Sequence, residues 1–294
     1  MTVAPLSARR AALRYLEDRF PLGSLGLAVV AGYACSYLLY GAVRGDQVFG
    51  LATVAGAVSF TLLFFERRLI DDVEDLRAEL TAGDEGRLRG LIRARTVVAG
   101  AVLVVSALAG WKLLLAAAGA VAWLPAAAVV RARIPEARRG LRFVVIETCP
   151  AVIFAYAYAA WWVASGRVAP AGAVVATVAL FWTGYQFWNF TRKAGDPDWA
   201  PWDLSLPNVR RVLLGLLALA LAAAGGCAAA ADLPALAACG GALAVGFAAW
   251  VTRTWDRLPA RDPVHGVRPG WAGLPLIAAV ELGVLLGVSL SGAG

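Results

Sequence analysis

The residues whose types and spacing point to chemistry are acidic. The segment Glu66-Arg67-Arg68-Leu69-Ile70-Asp71-Asp72-Val73-Glu74-Asp75-Leu76-Arg77-Ala78-Glu79 follows a long apolar run. If the helix continues, Asp72, Asp75 and Glu79, spaced three and four apart, share one face, with Asp71 on its edge. Carboxylates gathered this way repel one another, and a hard divalent cation relieves the repulsion. Mg2+ is the usual choice, held by one or two carboxylates together with phosphate oxygens. Glu74 falls on another side and is expected to pair with a basic residue. The bland alternative is a solvated acidic helix end.

A second polar cluster closes a later apolar run: Tyr185-Gln186-Phe187-Trp188-Asn189-Phe190-Thr191-Arg192-Lys193-Ala194-Gly195-Asp196-Pro197-Asp198. Asn189 and Lys193 lie one turn apart, and Asp196 and Asp198 follow in a Gly-Pro turn. Two acidic clusters with Arg192 and Lys193 beside the second would suit a diphosphate, with Mg2+ bridging carboxylates to phosphate oxygens. Plain membrane-surface anchoring by Arg192 and Lys193 is the competing reading. The sequon Asn189-Phe190-Thr191 is read as chance.

The elements that must position these residues are membrane helices. Of 294 residues 60% are hydrophobic and 16% charged, which excludes a disordered chain, a disulfide scaffold and an ordinary cytosolic enzyme. Apolar runs long enough to cross a bilayer give nine spans, at 23–42, 47–66, 96–110, 111–130, 143–165, 170–191, 211–231, 233–251 and 271–290. The third and fourth abut at Gly110-Trp111-Lys112, where a tight turn is expected. The N-terminal segment and the stretches after spans two, four, six and eight hold all 27 basic residues except Arg44, Lys112 and Arg167. That bias sets a multi-pass protein in the cell's inner (plasma) membrane, N-terminus in the cytoplasm and C-terminus outside. It also accounts for the net charge of +7 without nucleic acid.

One domain of residues 1–294 is expected. Residues 1–22 form an interfacial segment, with Leu13, Leu16 and Phe20 opposite Arg14 and Asp18. Residues 66–95 and 192–210 form cytoplasmic loops that carry the acidic motifs and cap a central apolar cavity.

The single histidine, His265, excludes mechanisms that need several imidazoles. Cys35, Cys149, Cys227 and Cys239 make no C-x-x-C and read as packing residues. Helices five and six are aromatic, with Phe154, Tyr156, Tyr158, Trp161 and Trp162 on one and Phe181, Trp182, Tyr185, Phe187, Trp188 and Phe190 on the other. Some would sit at the interfaces, and others would line a pocket where ring faces stabilise a cation. Glu147 and Glu281 are intramembrane carboxylates and so candidates by position.

With these motifs in place, the sequence resembles the UbiA superfamily of intramembrane prenyltransferases. That family has nine membrane helices, an N-D-x-x-D-x-x-x-D motif after helix two and a second Asp-rich motif after helix six. Here the first reads Asp71-Asp72-x-x-Asp75-x-x-x-Glu79, and both replacements keep oxygen ligands. The second departs further: where many members show D-x-x-x-D, this chain has Arg192-Lys193-Ala194-Gly195-Asp196-Pro197-Asp198.

The resemblance implies a Mg2+-dependent enzyme acting on a prenyl diphosphate. Asp72, Asp75 and Glu79 would hold one ion, with Asp71 beside them, and Asp196 and Asp198 the other. Arg68, Arg192 and Lys193 would bind the diphosphate, with Tyr185, Trp188 and Asn189 at the reacting end. A lipophilic acceptor makes the enzyme a prenyltransferase, and cyclisation of the substrate itself makes it a terpene cyclase. A transporter with an inward-facing carboxylate site and a purely structural membrane subunit are the readings from other classes.

Overall fold

A computed structural model describes residues 26–78, 84–193 and 206–234, together with Tyr15 and isolated positions between 236 and 289. Among the described residues the chain is all-helical. The helices are α1 (Leu27–Arg44), α2 (Leu51–Ala78), α3 (Glu85–Leu108), α4 (Trp111–Arg133), α5 (Arg139–Ser165), α6 (Ala171–Lys193) and α7 (Leu206–Ala231), with a 3-10 turn at Glu136–Arg138 before α5. These take up the first seven expected spans. The expected spans 233–251 and 271–290 lie almost wholly outside the described residues, as do residues 1–22 apart from Tyr15.

Among the described residues, five helical stretches are long and apolar enough to cross a membrane: Leu27–Arg44, Glu85–Leu108, Trp111–Arg133, Gly140–Ser165 and Val209–Ala231. The two long helices outside that set, α2 and α6, are the ones that carry the polar motifs. Their polar residues are tolerable because the bundle covers them: Ser59, Glu66 and Asp72 on α2 and Thr183, Gln186 and Asn189 on α6 are buried. Large apolar side chains are left exposed on the outside of the helices, among them Val97, Val104, Leu108, Leu115 and Val175.

The expected loop at 66–95 is a correction. α2 runs unbroken to Ala78 and α3 already begins at Glu85. No proline or glycine interrupts residues 66–78, and two Arg–Asp pairs at i,i+4 hold the turns together. α3 starts eleven residues earlier than the apolar pattern suggests because its first turns are a charged surface helix, with Glu85 and Arg89 one turn apart on exposed side chains. Residues 192–193 and 206–210 of the second expected loop are likewise helical.

α2 and α5 form the heart of the bundle. α2 packs on α1, α3, α4 and α5, and α5 packs on α1, α2, α4 and α6. The core between them holds Phe60, Leu63, Ile153, Ala157 and Trp161. Gly56 allows this close approach. A Cβ there would stand 2.3 Å from the Tyr33 hydroxyl and 2.6 Å from the Ala160 Cβ. The expected turn between α3 and α4 is made by Gly110, whose φ of 120° suits only glycine. α6 and α7 share a smaller core of Phe187, Val209, Leu213 and Leu217.

Hydroxyl groups also tie the helices together. The Ser59 and Ser106 hydroxyls lie 3.1 Å apart, and Ser106 lies 2.7 Å from the Tyr156 hydroxyl, linking α2, α3 and α5 through buried groups.

Candidate active site

α2 carries three kinds of chemistry on successive turns. Phe60 and Phe64 come first, Arg67 and Arg68 one turn on, and Asp71 and Asp72 one turn beyond those. At 1.5 Å per residue, an aromatic surface passes into a cationic and then an anionic one within about 18 Å.

The aromatic end is continuous across three helices. Phe60 and Phe64 pack with tilted rings at 5.3 Å, and each meets Phe154 of α5, at 5.7 and 5.5 Å. Phe154 reaches Phe181 of α6 at 6.0 Å, Phe64 reaches Tyr185 at 5.8 Å, and Tyr185 meets Trp188 at 5.8 Å. α6 thus meets α2 at the level where the aromatic surface gives way to arginine. Of the expected aromatic residues, Trp161 and Tyr158 instead pack with Tyr40. Trp162 carries the Lys112 ammonium 5.1 Å from its ring centre.

The acidic end is organised by arginine. Asp72 is 6% exposed, and its Oδ1 lies 3.0 Å from Nη2 of Arg68. Its Oδ2 accepts a hydrogen bond from the Tyr15 hydroxyl, whose ring also packs edge-on against Phe65 at 6.4 Å. Asp71 pairs with Arg67 one turn back. Glu74 pairs as expected with a basic residue: Arg131 of α4 donates to its Oε2 at 2.6 Å. Burial pushes the Glu74 carboxyl up, and Arg131 pulls it back. Glu66 is fully buried with Arg95 of α3 at 3.8 Å.

The expected site residues fall into three groups. Asp71, Asp72, Asp75 and Arg68 lie together toward the C-terminal end of α2, with Asp72 buried and Asp75 exposed. Tyr185, Trp188 and Asn189 lie on the last turns of α6, with Asn189 buried. Arg192 and Lys193 are its final residues, and nothing is described of their side chains. Glu79, Asp196, Asp198 and Glu281 lie outside the described residues.

Among the described residues, no three His, Cys, Asp or Glu side chains are grouped to hold a metal ion. Glu79, Asp196 and Asp198 lie outside those residues. In kind, the donor set suits Mg2+: hard carboxylate oxygens at a helix end, with guanidinium groups beside them to meet phosphate oxygens.

Four features escaped the pattern of apolar runs and acidic spacing. Arg67 is buried in the site, Arg131 reaches it from α4, and Tyr15 reaches it from the N-terminal segment. Gln186 donates a hydrogen bond to Glu147, and Trp182 Nε1 donates to the Glu147 carbonyl at 2.9 Å. Glu147 therefore joins α5 to α6 just before Pro150, which leaves the helix one backbone donor short. The i,i+4 spacing of Arg67 to Asp71 was legible in the sequence. The contacts of Tyr15 and Arg131 bridge 57 residues each and carry no local signal.

No protein-family model and no curated protein matches this chain. Solved structures do. A UbiA homologue from Archaeoglobus fulgidus superposes with a TM-score of 0.55 at 16% identity, covering 90% of this chain and 98% of that one. The same homologue bound to Cd2+ gives 0.55 at 17% identity, covering 90% and 97%. A digeranylgeranylglyceryl phosphate synthase gives 0.56 at 12% identity, covering 95% and 99%. At these identities the likeness is one of fold. Over nearly its whole length, the chain has the fold of the UbiA homologues.

Proposed function

We propose that this chain is a UbiA-type intramembrane enzyme that ionises a prenyl diphosphate and transfers the prenyl group to a lipophilic acceptor. The observation that carries the reading is the order of chemistry on α2, where an aromatic surface built from α2, α5 and α6 abuts buried Arg67 and half-buried Arg68 and then aspartates. A prenyl diphosphate has the same order, an apolar tail ending in a polyanion. The fold shared with UbiA homologues supports it. So does the Cd2+ bound by one of them, since a divalent site is what the reading requires.

In this reading Asp72, Asp75 and Glu79 hold one Mg2+, with Asp71 beside them, and Asp196 and Asp198 hold a second. Bound Mg2+ would neutralise charge on the departing diphosphate. Arg68, Arg192 and Lys193 bind diphosphate oxygens, and Arg68 is already oriented by its pair with Asp72. The allylic C–O bond breaks heterolytically and both electrons leave with the diphosphate. Tyr185 and Trp188 present ring faces to the cation left behind. Asn189, buried one turn on, fixes the substrate at the junction. A nucleophilic carbon or oxygen of the acceptor then bonds to the cation and gives up a proton.

The length of the aromatic run, from Phe60 to Trp188, favours one second reading. A cation held along several rings can be attacked by its own double bonds, which would make the enzyme a terpene cyclase. Incubating purified protein with geranyl, farnesyl and geranylgeranyl diphosphates and Mg2+, without acceptor, separates the two. Transfer predicts turnover only after a quinone precursor or other lipophilic acceptor is added. A cyclic hydrocarbon or alcohol formed without acceptor would establish cyclisation instead.

A further inference from the structure

Arg67 has a place in this bundle that metal binding does not explain. It is 8% exposed, far more buried than a surface anchor. One terminal nitrogen pairs with Asp71, while its Nε makes no hydrogen bond among the described residues. Tyr185 of α6 and Cys149 of α5 are its other electrostatic neighbours, so the guanidinium lies where α2, α5 and α6 meet, beside the inner end of the aromatic surface. A buried guanidinium donor without an acceptor is costly. A phosphate oxygen is the acceptor its planar fork fits best.

Asp71 belongs to the same corner. It and Asp72 are consecutive on a helix, so they point about 100° apart. Asp72 faces Arg68 and Tyr15, while Asp71 faces Arg67, and both Asp71 and Arg67 act on Cys149 of α5. The two carboxylates therefore serve different neighbours.

We propose that Arg67 is a further ligand of the substrate's diphosphate and that Asp71 is its holder, orienting the guanidinium from one turn away rather than binding metal. The inference rests on the proposed function and deepens its site. On substrate binding, Asp71 keeps one arm of the fork and the Nε–H turns to a phosphate oxygen.

Binding of inorganic pyrophosphate, measured by calorimetry in detergent with Mn2+ present, tests this, with Mn2+ affinity followed separately by electron paramagnetic resonance. Arg67→Gln and Asp71→Asn should each weaken pyrophosphate binding about 10-fold or more, the scale of one charge-assisted hydrogen bond, while the Mn2+ Kd stays close to wild type. Arg67→Gln alone leaves a carboxylate uncompensated and could unfold. The double variant Arg67→Gln/Asp71→Asn removes both charges and should fold, yet still bind pyrophosphate weakly.

Recovery of wild-type pyrophosphate binding in the double variant would overturn the proposal, since Arg67 would then serve only its ion pair. Loss of Mn2+ binding in Asp71→Asn would overturn it too, by making Asp71 a metal ligand. Phosphatidylglycerol micelles that displace pyrophosphate from wild type but not from Arg67→Gln would assign Arg67 to a lipid headgroup and equally overturn it. If wild type releases no pyrophosphate from any prenyl diphosphate, the proposed function fails. If it does and Arg67→Gln binds pyrophosphate normally, only this inference fails.

Discussion

The Tyr15 hydroxyl donates a hydrogen bond to Oδ2 of Asp72 across 57 residues of sequence. With Arg68 on the other oxygen, both sides of this buried carboxylate are oriented by the protein itself. Neighbours of this kind fix a ligating carboxylate, and removing one typically costs about 10–100-fold in metal affinity or activity. Tyr15→Phe keeps the ring against Phe65 and loses only the donor. The Mg2+ concentration giving half-maximal pyrophosphate release should rise by about tenfold or more, in protein that still melts cooperatively in detergent. An unaltered Mg2+ dependence would mean that the contact is idle in catalysis.

Gly56 sits where α1, α2 and α5 converge on the Tyr33 hydroxyl and Ala160. The Tyr33 hydroxyl already donates to the Thr53 carbonyl at 2.8 Å, so it cannot simply swing away. Gly56→Ala should destabilise the bundle by about 1–3 kcal/mol through overpacking, read as a lower melting temperature in detergent. Gly50→Ala, where a Cβ meets nothing within 4 Å, is the control and should melt as wild type does.

Arg131 and Glu74 clamp the end of α4 onto α2. Arg131→Met leaves a half-buried carboxylate without its cation and should cost about 2 kcal/mol. Adding Glu74→Leu removes the remaining charge, and the double variant should regain most of the lost stability. Equal stability of the two variants would show that the pair holds nothing together.

The first seven helices, the turn at Gly110 and the placing of Glu74 on a different side of its helix from Asp72 and Asp75 were legible because each depends on local pattern. Apolar runs, a glycine between two such runs, and charges three or four residues apart are all written in consecutive residues. The length of α3 was not legible, because its first three turns are charged and look like loop to a pattern that counts apolar residues. The roles of Tyr15 and Arg131 were hidden for another reason: tertiary folding alone brings them to Asp72 and Glu74. Glu147 was singled out by its place in an apolar helix, but only the fold pairs it with Gln186.

Mg2+-dependent release of pyrophosphate from a prenyl diphosphate, by purified wild type and by Asp72→Ala, tests the proposed function at its centre. Asp72 is the buried carboxylate on which Arg68 and Tyr15 converge. Wild type should release pyrophosphate with Mg2+ and acceptor and none with chelator, and Asp72→Ala should lose at least about a hundredfold, the scale expected when a metal's charge stabilisation is removed. Equal release by both proteins, or none by wild type with any prenyl diphosphate and acceptor tried, would contradict the proposed function.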